Sequence, residues 1–356
     1  MYLVDIERRI FLAKLLRIPP ELLGLTVYSV MDDKYAIAGY TEQLKRMTKL
    51  AEEDSYYAYE DILVLGWDCL RKGSISLVAE RITRRLKKLE GIVQRCPQEE
   101  KEAWQTMLFQ YHRLAAACHM HTLEEPFRHI NAALSLAEEL DDSELIATAY
   151  MHRAHRSIVL KHVNDAKTDI DKAVTYTESA VIHAPLKGNI YLRAAEINSH
   201  LGGGKQIQEE NKRWHALAAD LAYELSNVQT SDRTFQVLNT SGVHHERAKT
   251  LIKLYQFDLK KQHLKDAEHE LHLARKTLTP ELVEWQLYFS LSEASLRKAQ
   301  NDIEESATMG KEAHKIACLM ASQSGIQQVT DLYVALHKEY PTNLEVISLG
   351  AQLGIF

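Results

Sequence analysis

A chain of 356 residues, 46% hydrophobic and 26% charged, holds material for a sizeable core, while only 14 glycines and 7 prolines leave few turns. The formal net charge of −6 gives no general attraction to phosphate backbones or anionic lipid, so direct nucleic-acid binding by the whole chain is not expected. Cys69, Cys96, Cys118 and Cys318 form no C-x-x-C pair, and no apolar run approaches the roughly 20 residues that span a bilayer. A zinc ribbon, a dithiol centre and a membrane-spanning segment are therefore not expected, and a reducing cytoplasm is.

In chain order, "FLAKLLRIPPELLGL" at 11–25 predicts an amphipathic helix, a rigid break at Pro19-Pro20 and a second apolar turn that must bury against something. In "LVAERITRRLKKLEGIV", Arg81, Arg84, Arg85 and Lys88 follow i, i+3, i+4, i+7 while Ile82, Leu86 and Leu89 line another side. Such a basic stripe is a solvated outer face in its plain reading and a dock for an acidic protein segment in its functional one. Break signals then recur at helix-hairpin spacing, in "RKGS" at 71–74, "ELDDSE" at 139–144, "HLGGGK" at 200–205, "NVQTSD" at 227–232 and "EYPTN" at 339–343. Between them the apolar residues repeat at helical spacing, as Trp214, Leu217, Ala218, Leu221, Ala222 and Leu225 do, and no period-two stretch suggests strands.

Small residues carry an internal repeat. Ala154, Ala166 and Ala173 stand 12 and 7 residues apart, and the same intervals return in Ala294, Ser306, Ala313, in Leu114, Pro126, Ala133 and in Tyr255, Ala267, Ala274. Short side chains at these places let two antiparallel helices approach closely. The pattern resembles the tetratricopeptide repeat, whose helix-turn-helix unit has small residues at its eighth, twentieth and twenty-seventh positions. The units here are longer than that family's and mostly lack the Trp-Leu-Gly-Tyr signature of its first helix. The fold expected is all-α, a right-handed superhelical array of antiparallel helix pairs over 31–340, preceded by a linker-like helix and Pro-Pro break at 1–30 and closed by a capping segment at 341–356. Between Ala194 and Tyr255 one unit does not fit, and an enlarged hairpin around a long helix at 207–226 is expected.

The resemblance implies a concave surface lined by the second, fifth, ninth and twelfth places of each unit. These places are Tyr111 and Cys118, Met151 and His155, Tyr191 and Asn198, Gln256, and Tyr288 and Lys298. A mixed aromatic and amide lining suits a peptide, because an amide side chain pairs with backbone in both directions. "ERRIFLAKLL" followed by "IPPELLGL" is further similar to the segment that follows a Cro/repressor-type helix-turn-helix in some bacterial regulators. That likeness implies a regulator without its DNA-binding domain, either truncated or a stand-alone homologue, with homodimerisation and ligand sensing as family traits.

Motifs for chemistry are sparse. His269 and His272 share a helix face at i,i+3, yet no H-E-x-x-H or identifiable third ligand accompanies them, and "GGGK" at 202–205 lacks the frame of a phosphate loop and reads as a tight interhelical turn. Neither a cofactor nor a catalytic residue is expected. The favoured reading is a non-enzymatic sensor or scaffold for a peptide or protein segment, connected with transcriptional regulation or signalling. An adaptor whose groove is filled by a large partner or by the tail "EVISLGAQLGIF" is the second reading, and a metal-dependent enzyme built on the histidine clusters is the third.

Overall fold

The computed structural model describes residues 55–71, 79–118, 124–225, 233–278, 283–320 and 322–355. The 1–30 segment, with its resemblance, lies outside them. The described residues form fourteen α-helices, one short 3₁₀ turn at Gln98–Glu100 and no strand. We label the helices α1 (Tyr56–Arg71), α2 (Ala79–Val93), α3 (Lys101–Cys118), α4 (Glu125–Glu139), α5 (Ser143–Val159), α6 (Val163–Ser179) and α7 (Ala184–Leu201). They continue as α8 (Lys205–Leu225), α9 (Thr240–Asp258), α10 (Lys261–Thr277), α11 (Val283–Ala299), α12 (Ile303–Leu319), α13 (Gln323–Glu339) and α14 (Leu344–Gln352).

Local chemistry sets the breaks. Asp142, Asn239, Asp302, Ser322 and Asn343 each cap a helix by accepting main-chain N–H groups of its first turn. Asp141, Lys161, Leu259 and Asn301 take left-handed backbone at φ 50° to 66°, which turns the chain sharply within three hairpins and, at Asp141, between two successive ones. Gly202, at φ +155°, opens the "GGGK" turn between α7 and α8, and a Cβ on Gly203 would lie 2.9 Å from Phe257 Cβ.

Helices pack in sequential pairs, α3 with α4, α5 with α6, α7 with α8, α9 with α10 and α11 with α12. The small-residue repeat lies at these crossings: Ala133, Ala154, Ala166, Ala173, Ala267, Ala274, Ala294, Ser306 and Ala313 are all fully buried. Side chains this short let the axes close up, and larger neighbours such as Ile170 and Leu271 fill the flanking grooves. The irregular interval between 194 and 255 is accounted for by α8, at 21 residues the longest described helix, and by a non-helical strap at 233–239 that leads into α9. The last described helix packs on the array: Val346 and Leu349 of α14 are buried, and Gln352 Nε2 donates to the main-chain oxygen of Lys311 in α12. The array also curls back on itself, since α1 touches α11.

Candidate functional site

The first helices of successive pairs share an inner face. On α7, Arg193, Glu196 and His200 fall at i, i+3, i+7, and on α9 Glu246, Lys249 and Lys253 repeat that spacing, so each trio makes one stripe. His152 and His155 of α5 and Glu284 and Tyr288 of α11 complete a polar lining. Lys249 Nζ bridges α9 to α7, 2.8 Å from both Glu196 and Glu246, and Arg193 pairs with Glu196. Two cations and two carboxylates thus balance at the centre. Walled by protein, they keep contact with solvent: the side chains of Arg193, Glu246 and Lys249 are 19%, 16% and 30% exposed.

Electrostatics follow from that enclosure. Burial, with the Arg113 and Arg193 charges, holds His152 well below the ordinary imidazole range, and burial with Arg193 and Lys249 does the same to His155, so both rings are neutral. Burial and the lysines at 253 and 249 bring His200 down to about 4. Burial favours the neutral acid at Glu246, but Lys249 and Arg193 outweigh it and keep the carboxylate ionised. Across the channel burial dominates at Glu284, whose carboxyl rises to about 7 although the Tyr288 hydroxyl donates to it at 3.0 Å. Nδ1 of His155 has no hydrogen-bond partner in the protein.

The strap at 233–239 lies against these inner helices. Its main-chain oxygens are taken by side chains: Gln110 Nε2 donates to Arg233 O at 2.8 Å, Arg113 to Thr234 O at 2.6 Å, Arg71 to Phe235 O at 3.0 Å and Asn189 to Val237 O at 3.0 Å. Phe235, in left-handed backbone, stacks on Trp67 with centroids 6.0 Å apart and 14° between planes. Arg233 reaches Asp142 and Glu144 at the start of α5, and Leu238 drops against Gly188 of α7. Gln236 meets His152 at 3.2 Å.

Several residues expected at the groove are elsewhere. Tyr111 is fully buried and donates to the main-chain oxygen of Tyr59, and Cys118 and Met151 are core residues. Tyr191 stacks on Trp214 and Asn198 donates to Glu210, both within the α7/α8 hairpin. Gln256 is exposed at the end of α9, and Lys298 pairs with Glu339 of α13 at 3.7 Å. His155 of α5 and Tyr288 of α11 are both half-buried on the inner side of the first helices. The inner stripe of α7 lies on the face opposite the family places, about half a turn round the helix, and Tyr191 and Asn198 instead pack against the outsized α8. The signal overlooked was Arg193 and Glu196, an i,i+3 pair on a helix apolar on nearly every other side.

The basic stripe is split. Arg84, paired with Glu80, and Lys88 are exposed and Arg81 is half-buried, whereas Arg85 is buried with its guanidinium 4.2 Å above the Tyr59 ring. His269 and His272 are both exposed on α10, and among the described residues no three His, Cys, Asp or Glu side chains gather as a metal site would require. No protein-family model matches the chain, and no curated protein matches it.

Proposed function

We propose that this chain is a non-enzymatic receptor or scaffold that holds a peptide or protein segment in the channel bounded by α5, α7, α9 and α11, in the setting of transcriptional regulation or signalling. One observation supports the reading: the chain's own strap, which turns at 233–234 and at Phe235, lies against the inner helices with four main-chain oxygens accepting from side-chain donors. Donors that reach main-chain oxygens suit a peptide segment. The adjoining inner face carries donors and acceptors of both kinds, among them the unpaired though buried Nδ1 of His155, and a peptide backbone presents both.

The test is selection of a random peptide library on the purified full chain, followed by calorimetry of the enriched peptide against the chain and its His155→Ala and Lys253→Glu variants. Weakening of at least tenfold in either variant supports the channel as the site. A library that yields no enriched peptide overturns the reading.

A further inference from the structure

Resting on the receptor reading, we propose that residues 233–238 are the resident occupant of a recognition surface whose partner in trans is a peptide segment with a basic residue two places before an aromatic one. Partner binding and strap release are then one exchange. The surface has three parts. Asp142 and Glu144 form an acidic notch in which Arg233 Nη2 lies 3.0 and 2.9 Å from the two Asp142 carboxylate oxygens while its Nε donates to Glu144. The Glu144 side chain is only 3% exposed, and against the burial penalty the His183 main-chain N–H, Arg233 and the His183 ring together hold it below the ordinary carboxylate range. An anion held this way selects a cation. Two residues on, the face of Trp67 receives an aromatic ring.

Between and beyond these pockets, recognition is by backbone. Gln110, Arg113, Arg71 and Asn189 address carbonyl oxygens and are indifferent to the side chains of the segment they hold. Buried carbonyls of a loop must be paired, with backbone, side chains or water. Here four are satisfied by side chains from three separate helices, as in a bound peptide. The strap is reachable at two places, since the Arg233 side chain is 49% exposed and Val237 is 42% exposed, while its Thr234 and Leu238 are buried. Because the strap is tethered, it competes at high effective concentration, and a trans segment with the same contacts gains affinity when the cis contacts are weakened.

The probe is a fluorescein-labelled hexapeptide of the strap's own sequence, Arg-Thr-Phe-Gln-Val-Leu, titrated by anisotropy into the full chain, into an Arg233→Ala/Phe235→Ala variant, and into that variant carrying Trp67→Ala. The peptide should bind the strap variant at least tenfold tighter than the unaltered chain, with the gain lost on Trp67→Ala. Equal binding to the two, or none to a strap variant whose circular dichroism matches the unaltered chain, overturns the proposal. Should the strap variant fail to fold, amide exchange of 233–239 in the unaltered chain decides: it rises on adding excess hexapeptide if exchange occurs, and stays unchanged if the proposal is wrong. Enriched library peptides that bind while this hexapeptide does not would sink the strap as occupant and leave the receptor reading standing.

Discussion

Arg113 donates to the main-chain oxygen of Thr234 at 2.6 Å, across 121 residues of sequence. The same guanidinium meets Gln110 and His152 and lies 5.2 Å from the Trp67 ring, so one side chain ties α1, α3, α5 and the strap together. Thr234 is fully buried, so its carbonyl has no ready access to water as a substitute.

Arg113→Ala should therefore cost about 2–3 kcal/mol, the range for a charge-assisted hydrogen bond whose buried acceptor is left unpaired. Urea denaturation gives the value, and faster amide exchange at 235–238 should accompany it. A loss below half a kcal/mol, with exchange unchanged, would show the strap held by its other contacts.

Gly188 offers a sharper test, because a Cβ there would stand 2.2 Å from Leu238 Cδ2 and within 3.2 Å of its Cγ. The whole leucine side chain would have to leave its notch. Gly188→Ala should destabilise the chain by about 1 kcal/mol or more, through displaced packing that outweighs the gain in helix propensity. In a Leu238→Ala background the obstacle is gone, and the same substitution should stabilise by up to about 1 kcal/mol. The sign must reverse between backgrounds; two destabilising results would break the account of the notch.

The contrast between these contacts and the hairpins explains what could be read from sequence. Small residues at the helix crossings obey a constraint local to each hairpin, since Ala154, Ala166 and Ala173 must be short whatever the neighbouring units do. Their spacing was legible for that reason. Inner-face residues obey a constraint between units, and the enlarged α7/α8 pair turned it: Tyr191 and Asn198 serve α8, while Arg193, Glu196 and His200, which look like a solvated stripe in sequence, face the channel. The strap has no periodicity, and nothing in "RTFQVL" indicates that three of its carbonyls go to residues about 120 positions earlier or more and a fourth to Asn189. Loop recognition of this kind is set by tertiary geometry alone.

Acid should unfold the chain early. Burial brings His112, His200, His215 and His245 to about 4, against 6.5 in an unfolded chain, so the unfolded state binds more protons between those values. Their contribution is complete above pH 6.5 and is lost as pH falls towards 4, at about 3 kcal/mol for a deeply buried ring such as His245. Glu284 acts in the opposite sense, because its carboxyl is raised to about 7 and favours the folded state increasingly as pH falls from 7 to 4.5. The urea midpoint should drop between pH 6.5 and 4.5, and drop more steeply in Glu284→Gln. A midpoint that is flat or rises with acid across that window would contradict the burial of these rings.

Two substitutions at first-helix positions should separate folding from binding. Tyr191 is 6% exposed and stacked on Trp214 at 5.1 Å, so Tyr191→Ala leaves a cavity in the α7/α8 hairpin and should cost about 3 kcal/mol. At a temperature where the variant remains folded, its affinity for a library-selected peptide should match that of the unaltered chain. His155→Ala removes a neutral ring whose Nδ1 is unpaired in the protein, so stability should change by less than about 1 kcal/mol while affinity falls at least tenfold. Thermal melts and calorimetry on the same preparations measure both. A Tyr191→Ala variant that keeps its stability and loses its ligand would return the binding face to the places the repeat pattern first assigned, and would take Arg193 and Glu196 out of the channel's account.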